Sequence, residues 1–344
     1  MKDLTFFLGA NTCRGFCSLY QSYLEAYPQE RVWILKGGAG CGKSGFMRRV
    51  AAVAAEAGFT VHRILCSGDP SSLDGIHVPE LHALLFDGTA PHVLEPPLVG
   101  DRGFYLDLSQ FYRPGVPDLQ EREAAYREHY RRAYQWLGAA GSAEASLALP
   151  AEAGSALRRK AGALMARELR RRPGTAVSRT SFFVEAFTGD GLLSLPDTCR
   201  ALASRLIGLQ GVCGAEHVFL SAAADAAAAR GWNTVICPDP LQPDRIAHLF
   251  IPERELGIGV GTGDRVIHLD RIVYKAAGRE ESARIRDTAA MRSALAAKAR
   301  RELQLARHFH DKLEEAVNPF VDFAGVYELA ERFAGALLES APPA

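Results

Sequence analysis

The feature that most constrains this chain is that it repeats itself. The run FFLGANTCRGFCSLYQSYL, starting at Phe6, has a counterpart in FFVEAFTGDGLLSLPDTCRAL, starting at Phe182. Thr12 pairs with Thr188, Gly15 with Gly191 and Leu19 with Leu195. Further on, ILKGGAG from Ile34 answers GLQGVCG from Gly208, and AAEAGFTVHRILC answers AAAARGWNTVIC. SGDPSSLDGI pairs with PDPLQPDRI, which sets Asp69 opposite Asp239 and Asp74 opposite Asp244. Anchors that recur in one order, at a spacing of about 163 to 176 residues, read as a duplication. Each copy alternates β-type apolar runs with helical patterns. The expected fold is therefore α/β, with two similar units, each a mainly parallel sheet flanked by helices. The 344 residues suit two domains at roughly 150 residues each. The expected boundaries are 1–117 with a helical extension over 118–175, then 176–344 with C-terminal helices.

The first copy carries a motif with chemistry. Arg31 to Leu35 read RVWIL, a short strand; KGGAGCGKS follows from Lys36 to Ser44; Gly45 to Gly58 then has helical periodicity. Strand, loop and helix form the context that G-x-x-x-x-G-K-[ST] requires, with Gly37, Gly42, Lys43 and Ser44 at the fixed positions. The backbone of Gly37, Gly38, Ala39, Gly40, Cys41, Gly42, Lys43 and Ser44 is expected to curl N–H groups around phosphate. The next helix adds its unpaired donors and dipole. Lys43 is expected to reach the β- and γ-phosphates of ATP, and the Ser44 hydroxyl to hold Mg²⁺.

A second acid is needed for the metal. HALLFD, His82 to Asp87, reads as a buried strand that ends in a carboxylate, so Asp87 joins Ser44 as the expected Mg²⁺ group. Asp69 follows another strand, FTVHRILC, and is a candidate to orient water or a substrate hydroxyl; a simple turn is the competing reading. His92, in GTAPH beyond Asp87, is a candidate to orient water or sense the γ-phosphate, against a plain surface-loop role.

The two copies are chemically unequal. Opposite Cys41, Gly42, Lys43 and Ser44 the second copy has Ala215, Glu216, His217 and Val218, and opposite Asp87 it has Val260. A glutamate beside the phosphate position repels the ligand. The second unit is expected to be structural or regulatory.

Composition narrows the alternatives. Forty basic and forty acidic residues exclude a globally basic nucleic-acid binder. The Arg-rich run from Arg158 to Arg172 leaves a nucleic-acid or phosphate contact open, but with no aromatic platform beside it a solvated helix face is the favoured reading. No apolar run approaches the roughly 18 residues of a membrane span. Seven irregularly spaced cysteines and a poor leader at MKDLTFFLGANTC fit a reducing, cytoplasmic setting. GAAGSAEASLALPAEAGS reads as a mobile connection between helices, Gly278 to Phe309 as a long helix, and Phe320 to Leu338 as the segment that closes its own domain.

The runs FFLGANTCRGFCSLY, LKGGAGCGKS, SGDPSSLDG and LLFDGTAPHVLEP together resemble a little-described bacterial family of predicted ATPases with two tandem P-loop NTPase-like units. The similarity spans nearly the whole chain, and FDGTAPH is its most particular segment. The resemblance implies a cytoplasmic, ATP-binding protein of two homologous halves. The expected function is Mg²⁺-dependent ATP binding and hydrolysis by the first unit. The alternatives are a small-molecule kinase, with an acceptor near Asp69, Asp87 or His92, and a nucleotide-sensing module with little turnover. The expected partners are the nucleotide and an unidentified protein or small molecule, with no membrane.

Overall fold

A computed structural model describes residues 2–90, 93–172 and 176–340. The first half contains β1 (Thr5–Phe7), β2 (Gly9–Thr12), β3 (Gly15–Ser18), α1 (Tyr20–Ala26), β4 (Arg31–Lys36) and α2 (Lys43–Glu56). It continues with β5 (His62–Leu65), β6 (Leu73–Val78), β7 (Ala83–Asp87), β8 (Gly103–Asp107), α3 (Gln120–Ala145) and α4 (Ala151–Glu168). The second half runs β9 (Arg179–Ser181), β10 (Glu185–Thr188), β11 (Gly191–Ser194), α5 (Pro196–Leu202), β12 (Arg205–Gln210) and α6 (Ala215–Ala228). It ends with β13 (Thr234–Pro238), β14 (Ile246–Ile251), β15 (Leu256–Val260), β16 (Arg265–His268), α7 (Asp270–Ala276), α8 (Arg279–Val317) and α9 (Phe323–Glu339).

The duplication is visible strand by strand. The first sheet has the order β1-β5-β6-β7-β4-β8, and the second, read from its β9 edge, has β9-β13-β14-β15-β12-β16. In each, one strand (β6 or β14) runs antiparallel to its neighbours and the other pairings are parallel. Each copy also carries a short hairpin, β2–β3 and β10–β11, whose turn is closed by a threonine. Thr12 Oγ1 donates to the Gly15 carbonyl at 2.8 Å, and Thr188 Oγ1 to the Gly191 carbonyl at 3.1 Å.

The copies meet at an approximate two-fold axis where the end of β1 runs antiparallel to Phe183, just past β9. The Phe7 N–H donates to the Phe183 carbonyl at 2.9 Å, and the Phe183 N–H returns to the Phe7 carbonyl at 2.8 Å. The Phe6 and Phe182 rings stack beside this pair, with centroids 4.5 Å apart. Counterpart residues thus bond to each other, and a core containing Phe6, Tyr23, Ile34, Phe182, Val184 and Phe250 fills the space between the halves.

The outer layer is exchanged. Helix α4, from the first half, buries Leu157, Ala161, Leu164 and Met165 against α6 of the second half. Helix α9, at the far end of the chain, buries Val326, Ala330, Ala334 and Leu337 against α2 of the first half. The segment expected to close its own domain closes the other one instead. Periodicity announces an apolar stripe but not the surface that covers it. To make the exchange, α3 and α8 cross the middle of the molecule packed against each other. The expected mobile connection is helix over most of its length, and only residues 146–150 join α3 to α4. Its alanines are strong helix formers and outweigh the scattered glycines. Among the described residues, no helix is long and apolar enough to cross a membrane.

Two measurements check this packing. Leu157→Ala is expected to cost about 2–5 kcal/mol in urea unfolding, since Leu157 is wholly buried. Hydrogen exchange should speed up in α6 and β12 rather than in α2, although residue 157 belongs to the first half. The second concerns His62, whose imidazole is lowered to about 4 by burial and then by neighbouring His77. The unfolded chain holds the extra proton below about 6.5 and the folded chain only below about 4, so stability falls as pH drops through that window. The fall should reach about 3 kcal/mol, and His62→Phe should flatten it.

Candidate functional site

The first sheet places its polar groups at one edge. β4 lies between β7 and β8, and the six residues 37–42 lead from its end into α2. The loop needs glycine where it bends hardest. Gly42 has φ of 91° and caps α2 in a left-handed conformation. Gly37 has φ of 144°, and a Cβ there would lie 2.5 Å from the Cys41 sulfur. Such conformations are disfavoured for residues with a side chain.

Lys43 opens α2 and is buried. Its ammonium donates to the carbonyls of Gly37 at 2.8 Å and Gly38 at 2.9 Å. It also lies 3.7 Å from Asp87 Oδ2. Strand register explains that neighbour, because Leu35 of β4 pairs with Asp87 of β7. Asp87 is fixed by its other oxygen, which accepts the Thr89 N–H at 2.8 Å and the Thr89 hydroxyl at 2.6 Å. Ser44 Oγ accepts the Leu73 N–H at 3.0 Å and so ties α2 to the start of β6. Cys41 is buried, and burial pushes its thiol up, with Asp87 adding to the effect and Lys43 opposing it. A thiol held protonated is a poor target for oxidation.

The loop from Ala39 to Gly42, with Lys43, Ser44, Asp87 and Thr89, lines a cleft of about 930 Å³, which also takes in Asp69 and the buried carboxylate Asp74. Asp69 accepts from the Ser71 hydroxyl at 2.7 Å and pairs with Arg307 at 2.8 Å. The expected residues Lys43, Ser44, Asp69 and Asp87 thus share one cavity. His92 lies outside the described residues.

Sequence reading missed the roof of the cleft. Tyr126, Tyr130 and Tyr134 of α3 line it, with His310 of α8. Their spacing of four residues was on view in AAYREHYRRAYQWL, but the partner surface was not. Past α8, Asn318 lies against Gly40 and Phe323 against Gly42, so the exchanged C-terminal segment supports the loop from outside.

Among the described residues, no three His, Cys, Asp or Glu side chains gather to hold a metal alone. Mg²⁺, which keeps waters and binds ligand phosphates, needs as little from a protein as a hydroxyl and one carboxylate. Ser44 and Asp87 fit that description.

The second copy has the same scaffold and different chemistry. Only four residues, 211–214, join β12 to α6. The buried faces of α2 and α6 match at an interval of 173, with Phe46, Val50 and Ala54 answering Phe219, Ala223 and Ala227. His217 Nδ1 accepts the Ile246 N–H at 3.1 Å, as Ser44 accepts that of Leu73. Ser44 therefore corresponds to His217 and Lys43 to Glu216. The shorter loop moves the expected pairing by one residue. Asp87 corresponds to Val260, as read from sequence.

The expected pairing of Asp69 with Asp239 and of Asp74 with Asp244 is also displaced. Both loops have matching bonds, Cys66 N–H to the Ser72 carbonyl and Asp239 N–H to the Arg245 carbonyl. Asp69 thus answers Gln242, and Asp74 answers Ala247. The shared Asp–Pro letters align the two loops out of register with their hydrogen bonds.

An internal ion pair occupies the remaining space. The Arg245 guanidinium lies over Gly214, where a Cβ would be 3.2 Å from its Cζ. Buried Glu144 of α3 binds Arg245, accepts from Gln242 at 2.6 Å and pairs with Arg292 of α8 at 2.7 Å. The Glu216 carboxyl turns back onto the Gly211 N–H, and burial raises its pKa. The adjoining pocket holds about 240 Å³.

Compared with protein-family models, with curated proteins and with solved structures, the chain matches none.

Proposed function

We propose that the first unit binds a nucleoside triphosphate, ATP in the first instance, together with Mg²⁺, and cleaves its β–γ linkage. The second unit serves as a structural partner. The observation that carries this reading is the meeting of an ammonium, a hydroxyl and a carboxylate at the start of a 14-residue helix (Lys43, Ser44 and Asp87). The unpaired N–H groups and positive dipole of that helix end favour an anion.

In this reading Lys43 gives up the Gly37 and Gly38 carbonyls for phosphate oxygens. The backbone of 37–42 then cradles the phosphates, and Lys43 steadies charge that builds up as the terminal phosphoryl group departs. Ser44 and Asp87 hold Mg²⁺, which when bound neutralises charge on the β- and γ-oxygens. Thr89 keeps Asp87 aimed at this point. The internal ion pair Glu144–Arg245, the lost lysine and the shorter loop argue against a second nucleotide in the other unit.

Calorimetry with Mg-ATP tests the proposal. The wild-type chain should bind, and Lys43→Ala should weaken binding by about 100-fold, or roughly 2.7 kcal/mol. Equal heats for the two proteins would overturn it.

A further inference from the structure

The triphosphate accounts for only one end of the cleft. Lys43 and Asp87 mark where the γ-phosphate would lie, and Asp87 ends the strand next to β4. The two strands beyond it, β6 and β5, bring the loop 66–72 to the same edge. Whatever lies past the γ-phosphate therefore faces Asp69 from that loop and the tyrosines of α3.

This end is built unlike a water site. Tyr126 and Tyr130 have ring centroids 5.1 Å apart, and Tyr130 and Tyr134 are 5.9 Å apart, which makes an aromatic wall three residues long. Burial pushes the Tyr126 hydroxyl up to about 12 and raises Tyr130 and Tyr134 further, so all three stay protonated. Tyr134 donates to Asn11 Oδ1 at 3.0 Å, which anchors the wall to the β2–β3 hairpin. Asp69 is steadied by Arg307, which also reaches Asp190 of the second unit at 3.4 Å. The cleft of about 930 Å³ takes in both this end and the glycine loop, within the roughly 300–1,000 Å³ range of small-molecule sites. Beyond the nucleotide itself, hydrolysis needs room for only one water. Aromatic faces favour a flat ring, while a carboxylate and phenol hydroxyls favour a hydroxylated one.

We propose that this end binds a phosphoryl acceptor, a small molecule with an alcohol hydroxyl on a flat-ringed body, of the nucleoside class. The inference rests on the Mg-ATP reading above and names the second substrate of that site. The acceptor oxygen forms a bond to the γ-phosphorus as the bond from that phosphorus to the β–γ bridging oxygen breaks. The nucleoside diphosphate leaves with the bridging oxygen, and the acceptor proton passes to the Asp69 carboxylate. Tyr126 and Tyr130 hold the ring, and Arg307 keeps Asp69 in place.

The test uses the full chain with saturating Mg-ATP and, in turn, adenosine, guanosine, cytidine and thymidine. At least one should raise ADP release about tenfold or more, with an equal amount of nucleoside monophosphate seen by phosphorus NMR. Tyr126→Leu should raise that nucleoside's KM about tenfold with little change in kcat, and Tyr126→Phe should keep the KM. Asp69→Asn should lower kcat for transfer about 100-fold. If calorimetry shows Mg-ATP bound but no nucleoside changes ADP release, the acceptor proposal fails and the nucleotide site stands. If Mg-ATP does not bind, both fail. Transfer that survives unchanged in Tyr126→Leu and Asp69→Asn also overturns the proposal.

Discussion

Each half of this protein depends on a helix from the other to cover its apolar stripe. Helix α2 is covered by α9, and α6 by α4. A fully buried leucine such as Leu157 is worth about 1.5–3 kcal/mol, and withdrawing a borrowed helix uncovers several such side chains. The exchange also dictates the position of α3 and α8. Both must cross from one half to the other, and both pass over the strand edges where the loops after β4 and β12 emerge. The roof of the cleft is therefore a by-product of the covalent path that the exchange requires.

That geometry gives α3 a part in both units. Its tyrosines at 126, 130 and 134 wall the open cleft, and Glu144 near its end fills the corresponding position in the second copy. One scaffold thus carries an open polar edge and a closed one. The open edge has a six-residue glycine loop, a lysine, and a strand-end carboxylate, Asp87, held by Thr89. The closed edge has a four-residue loop and an internal arginine–glutamate pair in place of room for an anion. A buried carboxylate needs such partners, and leaving it alone would cost more than the pairing.

Much of this was legible in the sequence because it is local. Strand β4, the glycine loop and α2 follow from patterns within about 25 residues, and the placement of Asp87 follows from an apolar run that ends in an acid. The duplication was legible because its anchors, such as Thr12 and Thr188, do the same job in both turns. What failed was non-local or depended on register. The exchange was invisible because an amphipathic helix states only that a face is buried. The counterparts of Lys43 and Ser44 slipped by one residue because a shortened loop leaves no mark in letters alone. Asp69 and Asp239 look alike in sequence, but backbone hydrogen bonds set Asp69 opposite Gln242. The tyrosine wall was in plain view, yet nothing in the sequence said what it faces.

The central claim is that one copy grips a triphosphate and its twin does not. Amide hydrogen exchange with and without saturating Mg-ATP tests it most directly, since it reports on both loops in one experiment. The account predicts slowed exchange over residues 37–46 and no change over 211–218. Slowing confined to 211–218, or no change at either loop, would contradict it.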